Sequence, residues 1–455
     1  MHRSLLAVFF LFVLPVGLSA QAVHYEPTWN SIDKRPTPQW FDEAKFGIFV
    51  VWGLYSVPAY APAASKEGLA YAEWYWKELE KKAAPTWQFH VKTYGANFRY
   101  QDFVPLFTAE VFDPELWASL FAQSGARYVV FTAKYHDGYA LWPSPHSWNW
   151  NSVDLHPHRD LVGELTKAVV AQGIKMGFYY SLYEWYNPLY LKDPNTYANL
   201  HMIPQMKELV ERYRPSLFWT DGEWEQPSSV WDSTKFLAWL YNESSVKDEV
   251  AVNDRWGKET RSKDGGFYTS EYGRYMPNGV TQGLAHKWEE NQGMGKSFGY
   301  NRREGAADYQ STTELVHLLV DTVSRGGNLL LDVGPTADGR IPVVMQERLL
   351  QIGAWLKVNG EAIYGTHPWR QTSEGEVRYT SKVDTVYAIA LTWPGQELAL
   401  SAPRSTAKTA VTLLGGNSPL KWRPDGGKLR IEVPPFPRSA LALPEAYVFK
   451  LTGVE

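Results

Sequence analysis

The sequence predicts an α/β fold: a (β/α)8-like barrel followed by a small antiparallel β-sandwich. Two observations predict it. From about residue 40 to about residue 360, apolar runs of strand length alternate with helical patterns, and beyond that point short strands are separated by Pro and Gly turns. Strands that alternate with helices pair in parallel through helical crossovers. We therefore expect a catalytic barrel over residues 21–365 and a β-sandwich over 366–455.

The predicted elements follow in order. The first strand is the apolar run at 46–51. Asp113 and Pro114 open a helix, and Gly125 ends it before the strand at 128–131. Further strands are predicted at 176–180, 216–219, 250–252, 266–268 and 329–331, and further helices start at Asp160 and at the capping box 311–314. A doubly wound open sheet is the alternative, but no glycine-rich nucleotide fingerprint follows an early strand.

Composition narrows the class of partner. The formal net charge is −4 and the pI is about 6.3, which argues against a nucleic acid or an anionic membrane. The chain has 21 Trp and 27 Tyr, many of them beside Asp, Glu, Asn or His. Aromatic faces stack on the apolar side of sugar rings, and polar neighbours bind the hydroxyls. We expect a small glycoside or oligosaccharide as substrate and leave the oligomeric state open.

The first 20 residues have the pattern of a secretory signal peptide. A short basic start at His2 and Arg3 is followed by an apolar stretch at 5–14 and by small residues up to Ala20. The apolar stretch is too short to span a membrane, so we expect no membrane insertion. The chain has no cysteine, hence no disulfide and no lipid-modified cysteine anchor. The expected location is periplasmic or secreted.

Polar residues end four of the predicted strands, at 134–137, 221–224, 253–256 and 270–272. The carboxyl ends of barrel strands meet at one mouth, where active sites form. Two carboxylates in a cup rich in Trp and Tyr favour glycoside hydrolysis, with one acid as nucleophile and the other as proton donor. No metal site is expected, because the pair His156 and His158 lacks a third ligand at suitable spacing.

Nine sequence blocks, taken in order, resemble glycoside hydrolase family 29, the α-L-fucosidases. They span roughly residues 25–365 and read FGIFVVWGLYSVPAYAP, AEWY, AKYHDGYALWPS, FWTDGEW, NDRWG, TSEYG, HKWE, SFGYNRRE and GGNLLLDVGPTADG. The resemblance implies a metal-independent, exo-acting, retaining enzyme with a (β/α)8-like barrel and a C-terminal β-sandwich. It implies no cofactor.

Site residues follow from the matching motifs. The resemblance makes Asp221 of WTDGEW the nucleophile and Glu271 of TSEYG the acid/base, with Glu289 of HKWE as the alternative acid/base. Substrate-binding roles are expected for Val51, Tyr71, Glu73, Trp74, Tyr135, His136, Tyr180, Trp224, Arg255 and Phe298. Of these, Tyr71, Tyr180 and Phe298 are expected to form the apolar wall near C5 and C6 of the sugar.

Two positions depart from the family pattern. The family usually has histidine where this chain has Val51 and Tyr135, and the pair binds the axial 4-hydroxyl of L-fucose. Valine has no hydrogen-bonding group, and tyrosine carries its hydroxyl about 2 Å further out than imidazole. These changes favour a sugar whose 4-hydroxyl is equatorial, an α-L-glucoside or its 6-deoxy relative. An ordinary α-L-fucosidase is the alternative; a catalytically retired sugar-binding protein and a metal-dependent hydrolase are alternatives from other classes.

Overall fold

The computed structural model describes residues 23–62, 70–273, 286–416, 418–435 and 445–455. The predicted signal peptide at 1–20 lies outside these residues. Eight parallel strands form one curled sheet: β1 Phe46–Val50, β2 Tyr128–Lys134, β3 Lys175–Ser181, β4 Leu217–Asp221, β5 Ala251–Val252, β6 Tyr268–Glu271, β7 Trp288–Gly293 and β8 Gly327–Val333. Helices of the same part are α1 Trp29–Ile32, α2 Gln39–Ala44, α3 Tyr75–Glu78, α4 Pro85–Tyr94, α5 Pro114–Gln123, α6 Leu161–Ala171, α7 Pro188–Lys192, α8 Pro194–Tyr197, α9 Ile203–Tyr213, α10 Ser228–Trp231, α11 Ser233–Asn242, α12 Thr312–Ser324 and α13 Val343–Asn359.

The order of the strands matches a barrel rather than a doubly wound sheet. It runs β5-β4-β3-β2-β1-β8-β7-β6, so each strand lies beside its neighbour in the chain and β1 pairs with both β2 and β8. The two edges meet where Asn253 and Phe267 form an isolated parallel bridge and the Phe267 N–H donates to the Val252 carbonyl at 3.0 Å. The result is a curled, TIM-like sheet with the carboxyl ends of its strands at one mouth.

Local signals in the sequence explain most boundaries. The Asp113 carboxylate accepts from the Leu116 N–H at the start of α5, and the Asp160 carboxylate accepts from the Gly163 N–H at the start of α6. Ser311 and Glu314 form the predicted capping box of α12. Strand β7 was not predicted, because the sequence WEENQG has no apolar run; all six residues are nevertheless buried.

The C-terminal part is antiparallel, as expected. One sheet contains β9 His367–Glu374, β10 Val377–Lys382, β11 Thr385–Ala390, β13 Ser405–Leu413 and β16 Tyr447–Val454, and the other contains β12 Glu397–Leu400, β14 Trp422–Asp425 and β15 Lys428–Glu432. Both sheets contribute to one separate hydrophobic core, in which Tyr379 and Phe449 meet Leu400 and Ile431. Two sheets that share a core form a sandwich. No helix in the described residues is long and apolar enough to cross a membrane.

Candidate active site

A cavity of about 420 Å³ lies at the carboxyl ends of the barrel strands. Most of the sequence-predicted residues line it, namely Val51, Tyr71, Glu73, Trp74, Tyr135, His136, Asp221, Trp224, Arg255, Glu271 and Phe298. Two others, Tyr180 and Glu289, do not. Further lining residues that the sequence did not single out are Phe49, Tyr179, Trp219, Glu223, Lys258, Arg261 and Asn291.

Asp221 is the last residue of β4 and is held as a carboxylate. Its Oδ1 accepts from Arg255 Nη1 at 2.7 Å, and its Oδ2 accepts from the Tyr179 hydroxyl at 2.7 Å. Burial acts to raise the pKa of Asp221, but the nearby cations, Arg255 foremost, outweigh burial and hold this pKa below its ordinary value. The carboxylate is therefore ionised and fixed in position, as an attacking group must be.

Glu271 is the last residue of β6 and faces Asp221 across one guanidinium. Its Oε1 accepts from the Tyr71 hydroxyl at 2.8 Å, and its Oε2 lies 3.3 Å from Arg255 Nη2. Because Arg255 also bonds Asp221 through Nη1, a single fork holds both carboxylates at one cavity wall. This arrangement places two acids from different strands against one ligand-sized space.

Glu289, the alternative acid/base, lies in the barrel interior. It is the second residue of β7, fully buried, and its two oxygens accept from the Tyr128 hydroxyl at 2.5 Å and from Trp219 Nε1 at 2.9 Å. Burial raises the pKa of Glu289 to about 7. Both oxygens are engaged by side chains of the core, and Glu289 does not reach the cavity.

Tyr180 was expected in the apolar wall, but its neighbour Tyr179 occupies the cavity. Successive side chains of a strand point to opposite faces. On β3, Tyr179 faces the interior, whereas the Tyr180 hydroxyl donates to Gln205 Oε1 at 2.8 Å and lies 3.1 Å from Lys134 Nζ, outside the cavity. The structure therefore brings Tyr179, and not the expected Tyr180, to the cavity.

Glu73 lies on a short 3-10 turn, Ala72–Trp74, and is buried at the cavity wall. Its Oε2 accepts from the Gly299 N–H at 2.9 Å and from the Ser297 hydroxyl at 3.1 Å. Burial raises the pKa of Glu73 to about 7. The neighbouring Trp74 lies nearly parallel to Trp224, with ring centroids 6.2 Å apart and planes 20° from parallel.

His136 is neutral and oriented. Burial lowers its pKa to about 3, and the Ser181 hydroxyl lies 2.7 Å from Nδ1. Its Nε2 lies 3.6 Å from Asp221 Oδ2. The residue before it, Tyr135, packs along Tyr179 with ring centroids 5.7 Å apart and planes 20° from parallel. No hydrogen bond joins the Tyr135 hydroxyl to another residue in the described part of the chain.

Part of the cavity lining consists of aromatic and aliphatic side chains. The Tyr71 and Phe298 rings are stacked at 5.8 Å, and Phe298 also contacts Phe49, with ring centroids 6.1 Å apart. Val51, one residue beyond the end of β1, presents a side chain without polar atoms to the same cavity. The described residues contain no group of three or more His, Cys, Asp or Glu side chains arranged to hold a metal ion.

Comparison with known proteins identifies the family. The alpha-L-fucosidase family model matches residues 13–361, and the model of the alpha-L-fucosidase C-terminal domain matches residues 370–452. The tissue alpha-L-fucosidase of Bos taurus is 47% identical over 443 residues, covering 95% of this chain and 92% of that protein. The alpha-L-fucosidase of Branchiostoma floridae is 47% identical over 445 residues, covering 94% of this chain and 96% of that one. Among solved structures, the alpha-fucosidase of Thermotoga maritima in complex with a mechanism-based inhibitor is 40% identical with a TM-score of 0.81, covering 94% of this chain and 100% of that one. This chain therefore belongs to the α-L-fucosidase family and is a glycoside hydrolase.

Proposed function

We propose that this chain is a retaining exo-α-L-glycosidase in which Asp221 is the nucleophile and Glu271 is the acid/base. The observation that carries the proposal is the Arg255 fork, which holds both carboxylates at the wall of an aromatic cavity. Asp221 attacks the anomeric carbon while protonated Glu271 transfers its proton to the departing oxygen, which leaves as an alcohol. Water then attacks the glycosyl-enzyme, Glu271 takes the proton, and Asp221 is released as the carboxylate.

The electrostatics of the site support this division of roles. Asp221 has its charge stabilised by Arg255 and by the Tyr179 hydroxyl, which suits a group that attacks as an anion. Glu289 is supported less as acid/base because its oxygens bond Tyr128 and Trp219 inside the barrel. A general acid must reach the departing oxygen directly or through one water.

We further propose that the sugar subsite prefers an equatorial 4-hydroxyl, as in α-L-glucosides or 6-deoxy-α-L-glucosides. This proposal is supported by the positions of Val51 and Tyr135, which both line the cavity. A buried hydroxyl that loses its partner costs about 1–3 kcal/mol. Two lost partners lower turnover of a fucoside by roughly 10²-fold or more.

An ordinary α-L-fucosidase is the second candidate. It is favoured by the relatives, which are named fucosidases and are 47% identical over most of this chain. The Tyr135 hydroxyl supports it too, because a hydroxyl free of protein partners among the described residues can bind a sugar hydroxyl. The two candidates share the same catalytic groups and differ in the configuration expected at C4; an α-L-glucoside also has a 6-hydroxyl that an α-L-fucoside lacks.

A panel of 4-nitrophenyl α-L-glycosides separates the two candidates. We expect kcat/KM to be higher for the α-L-glucoside than for the α-L-fucoside, and we expect the double variant V51H/Y135H to reverse that order. A large preference of the unaltered enzyme for the fucoside would establish the second candidate. If the double variant gains no activity on the fucoside, residues 51 and 135 do not determine recognition of the sugar's 4-hydroxyl.

The retired binding protein is tested by Asp221→Asn. If the chain is an enzyme, this variant loses turnover while it still binds sugar, whereas a lectin-like module has no turnover to lose. Retention of activity in Asp221→Asn would remove Asp221 from the nucleophile's role. Activity that disappears with EDTA and returns with added metal would favour a metal-dependent hydrolase.

For the first 20 residues we propose a role in export, which is tested by the N-terminal sequence and the cell fraction of the mature protein.

A further inference from the structure

Glu223 and Arg261 lie beside Asp221 in the cavity wall, and the catalytic steps above give them no role. Arg261 Nε donates to Glu223 Oε1 at 2.6 Å, and Arg261 Nη2 lies 3.8 Å from Asp221 Oδ1. One guanidinium therefore lies between the nucleophile and a second carboxylate. The other oxygen of Glu223, Oε2, is buried and has no hydrogen-bond partner among the described residues.

The backbone places Glu223 there by means of a tight turn. After β4, Gly222 adopts φ of +74°, and a Cβ at this position would lie 2.3 Å from the Tyr183 ring. The turn lets both Asp221 and Glu223 face the cavity, and Trp231 Nε1 donates to the Glu223 carbonyl at 3.2 Å. Only glycine fits this backbone at this distance from the ring. The spacing of the two carboxylates is therefore built into the loop.

We propose that Glu223 and Arg261 are a positioning pair that controls the charge around the nucleophile during the reaction. The proposal rests on the role of Asp221 given above. In the free enzyme, Arg261 lies between two carboxylates. When Asp221 becomes a glycosyl ester it loses its charge, and Glu223 then remains as the counter-ion of Arg261. The charge of Arg261 therefore stays balanced while the positively charged transition state forms.

Burial and the neighbouring charges act on Glu223 in opposite directions. Burial raises the pKa of Glu223, the charge of Asp221 raises it further, and Arg261 and Arg255 act against both. Glu223 is only 2% exposed, so water screens it little. The other charged or titratable groups that face Asp221 are His136, Arg255, Tyr135, Tyr179, Tyr183 and, through Arg255, Glu271.

Two substitutions of opposite charge give opposite results. Protonation of Asp221 at low pH should produce the acid limb of the plot of kcat/KM against pH. Arg261→Met removes a cation near Asp221, so we expect this limb to move up by about 1 pH unit. Glu223→Gln removes an anion near Asp221, so we expect the acid limb to move down. The same variant lowers kcat/KM about 10- to 100-fold, because it removes a negative charge that lies near a cationic transition state.

The double variant E223Q/R261M is the decisive measurement. It restores the net charge of the wall, so its acid limb returns towards that of the unaltered enzyme and its kcat/KM exceeds that of Glu223→Gln alone. Glu164→Gln, which weakens a partly exposed ion pair with Arg159 outside the cavity, is the matched control and leaves the profile unchanged. Circular dichroism and melting temperature identify variants that fail to fold. If Arg261→Met fails to fold, Arg261→Lys takes its place. Because lysine keeps the positive charge, Arg261→Lys should move the acid limb by much less than about 1 pH unit.

The outcomes separate this inference from the catalytic assignment. If Asp221→Gly is inactive and is rescued by azide with formation of the inverted glycosyl azide, Asp221 is the nucleophile. If the folded single variants then shift the acid limb in the same direction, or not at all, the positioning pair is refuted while the nucleophile stands. If Asp221→Gly stays active, the nucleophile assignment falls and the pair falls with it. Azide rescue of Glu223→Ala to the inverted azide would also overturn the pair, because Glu223 would then be the nucleophile.

Discussion

Adjacent tyrosines on β3 provide a paired test of the site, because they point to opposite faces of the same strand. The Tyr179 hydroxyl donates to Asp221 at 2.7 Å in the cavity, whereas the Tyr180 hydroxyl donates to Gln205 at 2.8 Å outside it. The change from tyrosine to phenylalanine removes one hydroxyl in each case and keeps the ring. The two variants are therefore matched in chemistry and differ only in the partner that is lost.

The expected magnitudes follow from the partners. A hydrogen bond to a charged acceptor contributes about 1.5–3 kcal/mol, and one pH unit corresponds to about 1.4 kcal/mol. Tyr179→Phe should therefore raise the pKa of Asp221, and with it the acid limb of kcat/KM, by about 1 pH unit. At neutral pH, kcat/KM should fall by less than about tenfold, because Arg255 still holds the carboxylate ionised.

Tyr180→Phe should act on stability alone. Its hydroxyl lies in a buried network with Gln205 and Lys134, so its loss should lower the free energy of unfolding by about 1–3 kcal/mol. The assay is kcat/KM for the best nitrophenyl substrate from about pH 3 to about pH 9, with urea unfolding of the same samples. An acid limb that moves in Tyr180→Phe and stays fixed in Tyr179→Phe would refute the assignment of faces.

Three further predictions follow from the same structure. Glu271→Gln should lower kcat/KM about 10²- to 10⁴-fold for substrates with a poor leaving group and much less for dinitrophenyl substrates, whereas Glu289→Gln should keep the dependence on leaving group unchanged. Burial raises the pKa of Glu289 to about 7, so the folded state binds a proton that the unfolded state has lost, and the free energy of unfolding falls as pH rises from about 4.5 through about 7. Glu289→Gln should remove up to about 3 kcal/mol of that fall, which urea unfolding at several pH values measures. Lys134→Met leaves the buried Glu184 carboxylate without its 2.7 Å partner and should cost about 3–5 kcal/mol of stability, part of which the double variant K134M/E184Q should regain.

The sequence predicted the fold where its patterns were regular. Alternating apolar runs and capped helices located β1 to β4 and α5, α6 and α12 to within a few residues. It did not predict β7, because a barrel interior that holds Glu289, Glu290 and Asn291 gives the strand a polar sequence. Such residues are buried because of contacts with residues far away in the chain, so the local sequence pattern does not reveal their burial.

The sequence motifs predicted most of the residues that line the cavity, but they did not predict the contacts between those residues. Asp221 and Glu271 come from strand ends that the sequence identified, and the structure brings both to Arg255. Tyr179 could not be distinguished from Tyr180, because β3 is buried on both faces and its sequence has no alternation of polar and apolar residues. Glu223 stands two residues after Asp221 in the same motif, yet its contact with Arg261 depends on a loop 38 residues away in the chain.

The β-sandwich is attached to the flank of the barrel, and none of its described residues lines the cavity, whose lining residues fall between 49 and 298. Trp355 Nε1 on α13 donates to the Ala446 carbonyl at 2.9 Å, and Arg378 on β10 lies 2.7 Å from Asp321 on α12. Mutational drift in the last 90 or so residues can therefore alter how long the folded enzyme survives without retuning its chemistry. Selection, or an engineer, can therefore change stability through the β-sandwich while the residues that line the cavity stay the same.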